Sequence, residues 1–244
     1  MALTNPPQEG RQSKTYNAGQ NWHTDQSYSL RPSKATAVYC IECPPVGRDT
    51  MFANMYAAFE TLSPTFQSIL ERLSGIHDAS LIQGLEKRGP NVVAEFKKRN
   101  PPVAHPAVLV HPETDRKALY VDERVRRFEG MSDAESRTIV GYLCQHSVAP
   151  QRVYHHQWSV GDLVIWGNRC LMHMAVGDDD SSKFRHMLRT SGFGECVGRL
   201  ETPATADPAA AAPAVIAPPS GLDAEVARCG TEYVRPLIEQ RSPE

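Results

Sequence analysis

Residues 158–173 read Trp158-Ser-Val-Gly-Asp162-Leu-Val-Ile-Trp166-Gly-Asn-Arg-Cys-Leu-Met-His173. A Gly-Asp pair opens the apolar run Asp162–Trp166, whose β-branched and aromatic residues predict a strand, and a Gly-Asn turn follows it. Working outward, comparable short runs lie at Ala35–Ile41, Ala107–Val110, Ala118–Val121, Arg152–Trp158 and Arg185–Thr190. Two helices are well marked. Ser63 is a candidate N-cap before Pro64, with Phe66, Ile69, Leu70 and Leu73 on one face. The capping box Ser132-Asp-Ala-Glu135 precedes a face of Ile139, Val140, Leu143 and Cys144. Several short strands with a few peripheral helices predict a mainly β (α+β) sandwich or barrel, since βαβ alternation would need helices at regular spacing.

The 244 residues suit one domain with an appendage. Apolar residues at 41% and charged residues at 22% fit a soluble globular chain. A net charge of -2 with no basic stripe gives no sign of nucleic acid as a partner. Neither a secretory signal nor a bilayer-crossing apolar run is present, so no membrane is expected and a cytoplasmic protein is the default. Cys40-x-x-Cys43 lacks the second pair of a zinc site, and reduced thiols are the simpler reading. Residues 1 to about 22 are polar and read as a loop. The expected organisation is a domain over 1–200, an Ala/Pro-rich linker over 201–221 and a short tail, helical in part, over 222–244.

The chemistry centres on Trp22-His23-Thr24-Asp25. On an extended strand residues i and i+2 share a face, so His23 and Asp25 can aim at one point. Imidazole plus carboxylate is two thirds of the two-His-one-carboxylate set that holds non-haem Fe(II), and His173 is the candidate third ligand. H-x-D alone is a weak signal; its order and context strengthen it. Arg185 and Arg189, four apart after His173, would share a strand face, and a guanidinium grips a carboxylate through two parallel bonds. Other tempting residues have plainer readings. Adjacent His155 and His156 face opposite ways on a strand, His105 and His111 read as surface or packing residues, and Asp178–Asp180 lacks the glycine and terminal Glu of a calcium loop.

The segments WHTDQSY, PPVGRDTMFANMYAAFETLS, HPETDRKALYV, WSVGDLVIWGNRCLMH and RHMLRT, in this order, resemble the TauD/TfdA family of dioxygenases from about Asn21 to Gly194. The resemblance implies a double-stranded β-helix, or jelly roll. It implies Fe(II) on His23, Asp25 and His173, which would be both metal ligands and catalytic centre. 2-Oxoglutarate would be held through Arg185 and Thr50, with Arg189 at the substrate or cosubstrate end of the pocket and Trp166 near the metal. The implied reaction consumes O2 and 2-oxoglutarate, releases succinate and CO2, and hydroxylates a small, anionic organic substrate. Three departures stand out: Gly167 replaces a usual Asp, Arg48 replaces a usual Gly, and only 22 residues precede His23 where relatives usually carry several dozen. The last implies an N-terminally incomplete jelly roll whose exposed sheet edges suit a homo-oligomer. It also keeps open the alternative of a catalytically inactive, truncated relative or fragment.

Overall fold

The computed structural model describes residues 2–4, 19–177 and 185–201. The expected linker beyond Glu201, the tail at 222–244 and Asp178–Asp180 lie outside the described residues. In chain order the strands are β1 Ala2–Thr4, β2 Ser33–Glu42, β3 Thr50–Asn54, β4 Ser74–His77, β5 Val103–Pro106, β6 Val108–Val110 and β7 Lys117–Leu119. They continue as β8 Val125–Phe128, β9 Val153–His156, β10 Leu163–Gly167, β11 Leu171–Ala175, β12 His186–Phe193 and β13 Arg199–Leu200. The helices are α1 Met55–Glu60, α2 Pro64–Leu70, α3 Pro90–Arg99 and α4 Asp133–Ser147.

Antiparallel strands in the order β1-β12-β2-β10 make the larger sheet of the sandwich, and β11-β3-β9 make the smaller one. Inward residues of both sheets form one buried cluster: Val38 and Cys40 from β2, Phe52 from β3, Trp166 from β10, Met187 from β12, and Trp158. A further sheet, β13-β5-β4-β8, and the hairpin β6-β7 flank this pair. A second apolar cluster joins α1, α2 and α4 to these strands through Ala58, Phe59, Leu70, Leu119, Phe128 and Leu143. Phe128 and Leu143 are wholly buried, and burial of a side chain of that size contributes about 1.5–3 kcal/mol. This is the mainly β architecture with peripheral helices that the sequence predicts.

The two sequence-marked helices form as expected. The Ser63 hydroxyl accepts from the Phe66 N–H with Pro64 at the start of α2, and the Ser132–Glu135 capping box closes the N-terminus of α4. Two others carry weaker signals. Six-residue α1 is capped by the Asn54 side chain, and α3 buries no residue, so neither shows a long apolar stripe. The expected loop at 1–22 also contains more order than its composition suggests, because Ala2–Thr4 pairs with β12 as an outer strand. On the outer face of the larger sheet Leu188, Tyr39 and Leu163 lie side by side in register, and all three are exposed. No described helix is long and apolar enough to cross a membrane.

Candidate metal centre

The structure corrects one expectation about the H-x-D segment. It is not an extended strand: His23 forms an isolated antiparallel bridge with His173, and the chain turns at Asp25. The two backbone bonds of the bridge, His23 N–H to His173 C=O at 3.0 Å and His173 N–H to His23 C=O at 2.9 Å, set the histidines side by side. The Asp25 carboxylate nevertheless reaches both rings, and just beyond it Gln26 takes a φ of 55° as the chain turns away. The Asp25 Oδ1 lies 3.8 Å from His23 Nε2 and 3.7 Å from His173 Nε2. One ligand atom from each residue falls within 4.8 Å of the other two, and all three residues are buried.

The remaining polar atoms orient this set. His23 Nδ1 lies 2.8 Å from the Asn21 carbonyl; carrying the proton there, the ring leaves the Nε2 lone pair facing the common point. Asp25 Oδ2 is turned away from the histidines and accepts from Thr36 Oγ1 at 2.7 Å and from the Arg189 guanidinium at 2.5 Å. The Asn168 amide donates to Thr36 at 2.9 Å, and Trp166 Nε1 donates to Asn168 at 3.1 Å, so a buried chain of bonds runs from β10 to the Asp25 carboxylate. Phe52 stacks on His173 at 6.2 Å between ring centroids, and Trp166 tilts over it at 4.9 Å.

Electrostatics favour the ligating forms. Burial, then the Arg124 cation, lowers the His23 pKa to about 4. Burial, reinforced by His23, holds His173 well below the usual imidazole range. Burial acts to raise the Asp25 carboxyl, but His173, Arg189, His23 and the Thr36 hydroxyl outweigh it and bring it down to about 2. With both imidazoles neutral, Arg189 is the standing cation beside an ionised Asp25. Two neutral imidazoles and one carboxylate oxygen converging on a point fit a divalent transition metal and leave other coordination positions open.

Thr50 and Arg185 meet at one indole. Trp158 Nε1 donates to the Thr50 hydroxyl at 3.0 Å, and the Arg185 guanidinium stands over the Trp158 ring at 5.9 Å. Burial, then the positive charge of Arg48, lowers the Arg185 pKa, so that pocket already disfavours further positive charge. Arg189 shares the inner face of β12 with buried Met187, whereas a register shift between His186 and Met187 interrupts the simple four-residue spacing to Arg185. His155 and His156 do point apart, toward Asp49 at 2.9 Å and Asp162 at 3.2 Å. Sequence reading missed Thr36, Asn168, Trp158, Asp122 and Arg124 as neighbours of the site. Only Trp158 and Asn168 stood in a recognisable motif. Arg48 was visible as an odd residue in Gly47-Arg48-Asp49-Thr50, and it does adopt a left-handed φ of 60°.

Residues 3–191 match the family described as "Taurine catabolism dioxygenase TauD, TfdA family". An alpha-ketoglutarate-dependent 2,4-dichlorophenoxyacetate dioxygenase of Cupriavidus pinatubonensis is 34% identical over 181 residues, covering 74% of this chain and 62% of that protein. An alkylsulfatase of Acinetobacter baylyi is 31% identical over 164 residues, 65% of this chain and 52% of that protein. The crystal structure of AAD-2 in complex with Mn(II) and N-oxalylglycine has a TM-score of 0.68 to this chain at 31% identity, covering 73% of this chain and 71% of that one. The chain spans about three fifths of the length of the 2,4-dichlorophenoxyacetate dioxygenases it matches. On the matched residues and the shared jelly roll, the chain belongs to the TauD/TfdA family.

Proposed function

We propose that this chain is a non-haem Fe(II)- and 2-oxoglutarate-dependent dioxygenase that hydroxylates a small, anionic organic substrate and releases succinate and CO2. The convergence of His23 Nε2, His173 Nε2 and Asp25 Oδ1 carries this reading. When bound, the iron supplies open coordination positions for 2-oxoglutarate and O2 and the oxidising power that the protein lacks. The chain's own residues bind and orient. His23 and His173 offer neutral lone pairs, and Asp25 offers one oxygen because Thr36 and Arg189 hold the other. Arg185 and Thr50, gathered at Trp158, would grip the distal carboxylate of 2-oxoglutarate by a charge-assisted bond and a hydroxyl bond. Phe52 and Trp166 cover the flank of His173 and keep water from it. Arg189 places positive charge beside the ligand carboxylate, which favours an anionic group there. Relatives named for an aryloxyacetate and for alkyl sulfates support the same substrate class. The described cysteines are all unpaired, which suits a reducing cytoplasm.

Anaerobic titration with Fe(II) and then 2-oxoglutarate tests the assignment through the weak visible charge-transfer band of the chelated metal. The band is expected in the wild type and absent in Asp25→Ala. Folded wild-type protein without the band would instead establish the inactive-relative alternative.

A further inference from the structure

Two residues distant in sequence close on Thr24, the residue between the two N-terminal ligands. Asp122 Oδ2 accepts the Thr24 N–H at 3.0 Å, and Arg124 Nη1 donates to the Thr24 carbonyl at 2.9 Å. The other Asp122 oxygen accepts the Arg124 backbone N–H at 2.9 Å, so the carboxylate also fixes the chain that presents the guanidinium. Both residues are buried, and the contacts reach across 98 and 100 positions of chain. A third bond, Thr24 Oγ1 to the Leu171 carbonyl at 3.1 Å, fastens the same residue to the strand that carries His173. Every polar atom of Thr24 that could bond is thus engaged. Thr24 is the one residue between His23 and Asp25, so fixing its backbone limits how the His23 ring and the Asp25 carboxylate can move relative to each other. Burying charge to hold neutral backbone groups is unfavourable in itself, and hydrogen-bond partners behind metal ligands are a recurrent reason to retain it.

We propose that Asp122 and Arg124 are positioning residues of the metal centre. They clamp Thr24 so that His23 and Asp25 already converge with His173 before an ion arrives. The proposal rests on reading those three residues as the ligand set.

The test is a Mn(II) titration of the full chain, with free aquo-ion followed by electron paramagnetic resonance, beside thermal unfolding in chelator. Asp122→Asn, which keeps shape but loses one acceptor and the charge, and Arg124→Lys, which shortens the donor, are expected to weaken Mn(II) binding about 10- to 100-fold. Their Co(II) visible spectra should also shift, reporting a changed ligand angle. Leu143→Ala, in the apolar cluster away from the site, should lower the melting temperature yet leave Mn(II) affinity within about twofold of wild type, since it empties core volume without moving a ligand. Clamp variants that bind as tightly as wild type, or a Leu143→Ala that weakens binding equally, would overturn the proposal. Insoluble Asp122→Asn and Arg124→Lys chains would overturn it too, by assigning the pair to the fold. A wild type that binds no Mn(II) removes the ligand reading and the clamp together, whereas a binding wild type with unaltered clamp variants removes the clamp alone.

Discussion

Two buried groups in this molecule have the same composition, two histidines and one aspartate, and opposite character. His23, Asp25 and His173 leave two ring nitrogens and one carboxylate oxygen facing a common point. In the other group His77, His105 and Asp122 pack with Tyr120, the three rings at centroid distances of 5.2, 5.3 and 5.5 Å. There His105 Nε2 is engaged by the Ser29 carbonyl at 3.0 Å, and the Asp122 oxygens accept backbone N–H groups of Thr24 and Arg124. His77 Nδ1 lies 3.7 Å from Asp122 Oδ1, beyond hydrogen-bond reach. Residue types therefore do not define a metal site. What matters is whether the ligand atoms converge on one point with an oxygen to spare. Among the described residues only the first group does so, while both Asp122 oxygens are taken by backbone N–H groups, in bonds that brace the first.

The sharpest way to break this contrast is to remove a ligand from the first group. Asp25→Ala or His23→Ala is expected to weaken Mn(II) or Fe(II) binding by more than about 100-fold and abolish turnover, measured by calorimetry and succinate release. His105→Gln should leave a single metal site intact, and loss of that site would erase the distinction. The next effect concerns the cosubstrate. Arg185→Ala is expected to raise the dissociation constant of 2-oxoglutarate about 10- to 100-fold, as for loss of a charged hydrogen bond, with metal affinity unchanged. A change in metal affinity instead would mean that Arg185 serves the ligands and not the cosubstrate.

The second group should report pH through stability. Burial, then His77, lowers His105 to about 3, while His77 itself is lowered by burial despite the ionised Asp122 beside it. The unfolded chain takes up a proton near pH 6.5 that folded His105 refuses, so stability is lost as pH falls below that value. At pH 5 the loss is roughly 2 kcal/mol from His105 alone. Denaturant unfolding of metal-free protein at pH 7 and pH 5 should show His105→Gln less sensitive than wild type by about that amount. Equal slopes would show that His105 is protonated in the folded state. The smallest effect belongs to neither group: Ser132→Ala, which removes the capping box of α4, should lower stability by about 1 kcal/mol and leave metal affinity alone.

The candidate ligands were legible in sequence because each lies in a motif with its own local logic: H-x-D after a tryptophan, and a histidine closing the run that a Gly-Asp pair opens. Their geometry was not. The turn at Gln26 has no glycine to announce it, and without it an extended H-x-D would be the correct expectation. Strands β2, β10 and β12 were visible from alternation and β-branched residues, whereas β1 was hidden in polar sequence and owes its pairing to β12. Asp122 and Arg124 read as ordinary charges in Val121-Asp-Glu-Arg124, since a contact spanning about 100 positions leaves no periodic trace. Composition marks what lines a strand; only the fold decides which distant side chain braces it.

The paired histidines also have a topological meaning. His23 and His173 are roughly 150 residues apart, and among the described residues one antiparallel bridge and a few hydrogen bonds join their segments. A cation shared between them closes a loop of that length, so it acts on the chain as a reversible cross-link. Such closure restricts the unfolded ensemble the more as the loop grows, on the order of 4–5 kcal/mol for a loop beyond 100 residues if the link were permanent. Chelation therefore does more than empty a pocket: it opens a ring of roughly 150 residues, closed by the strap Gly19–Asp25 against β11.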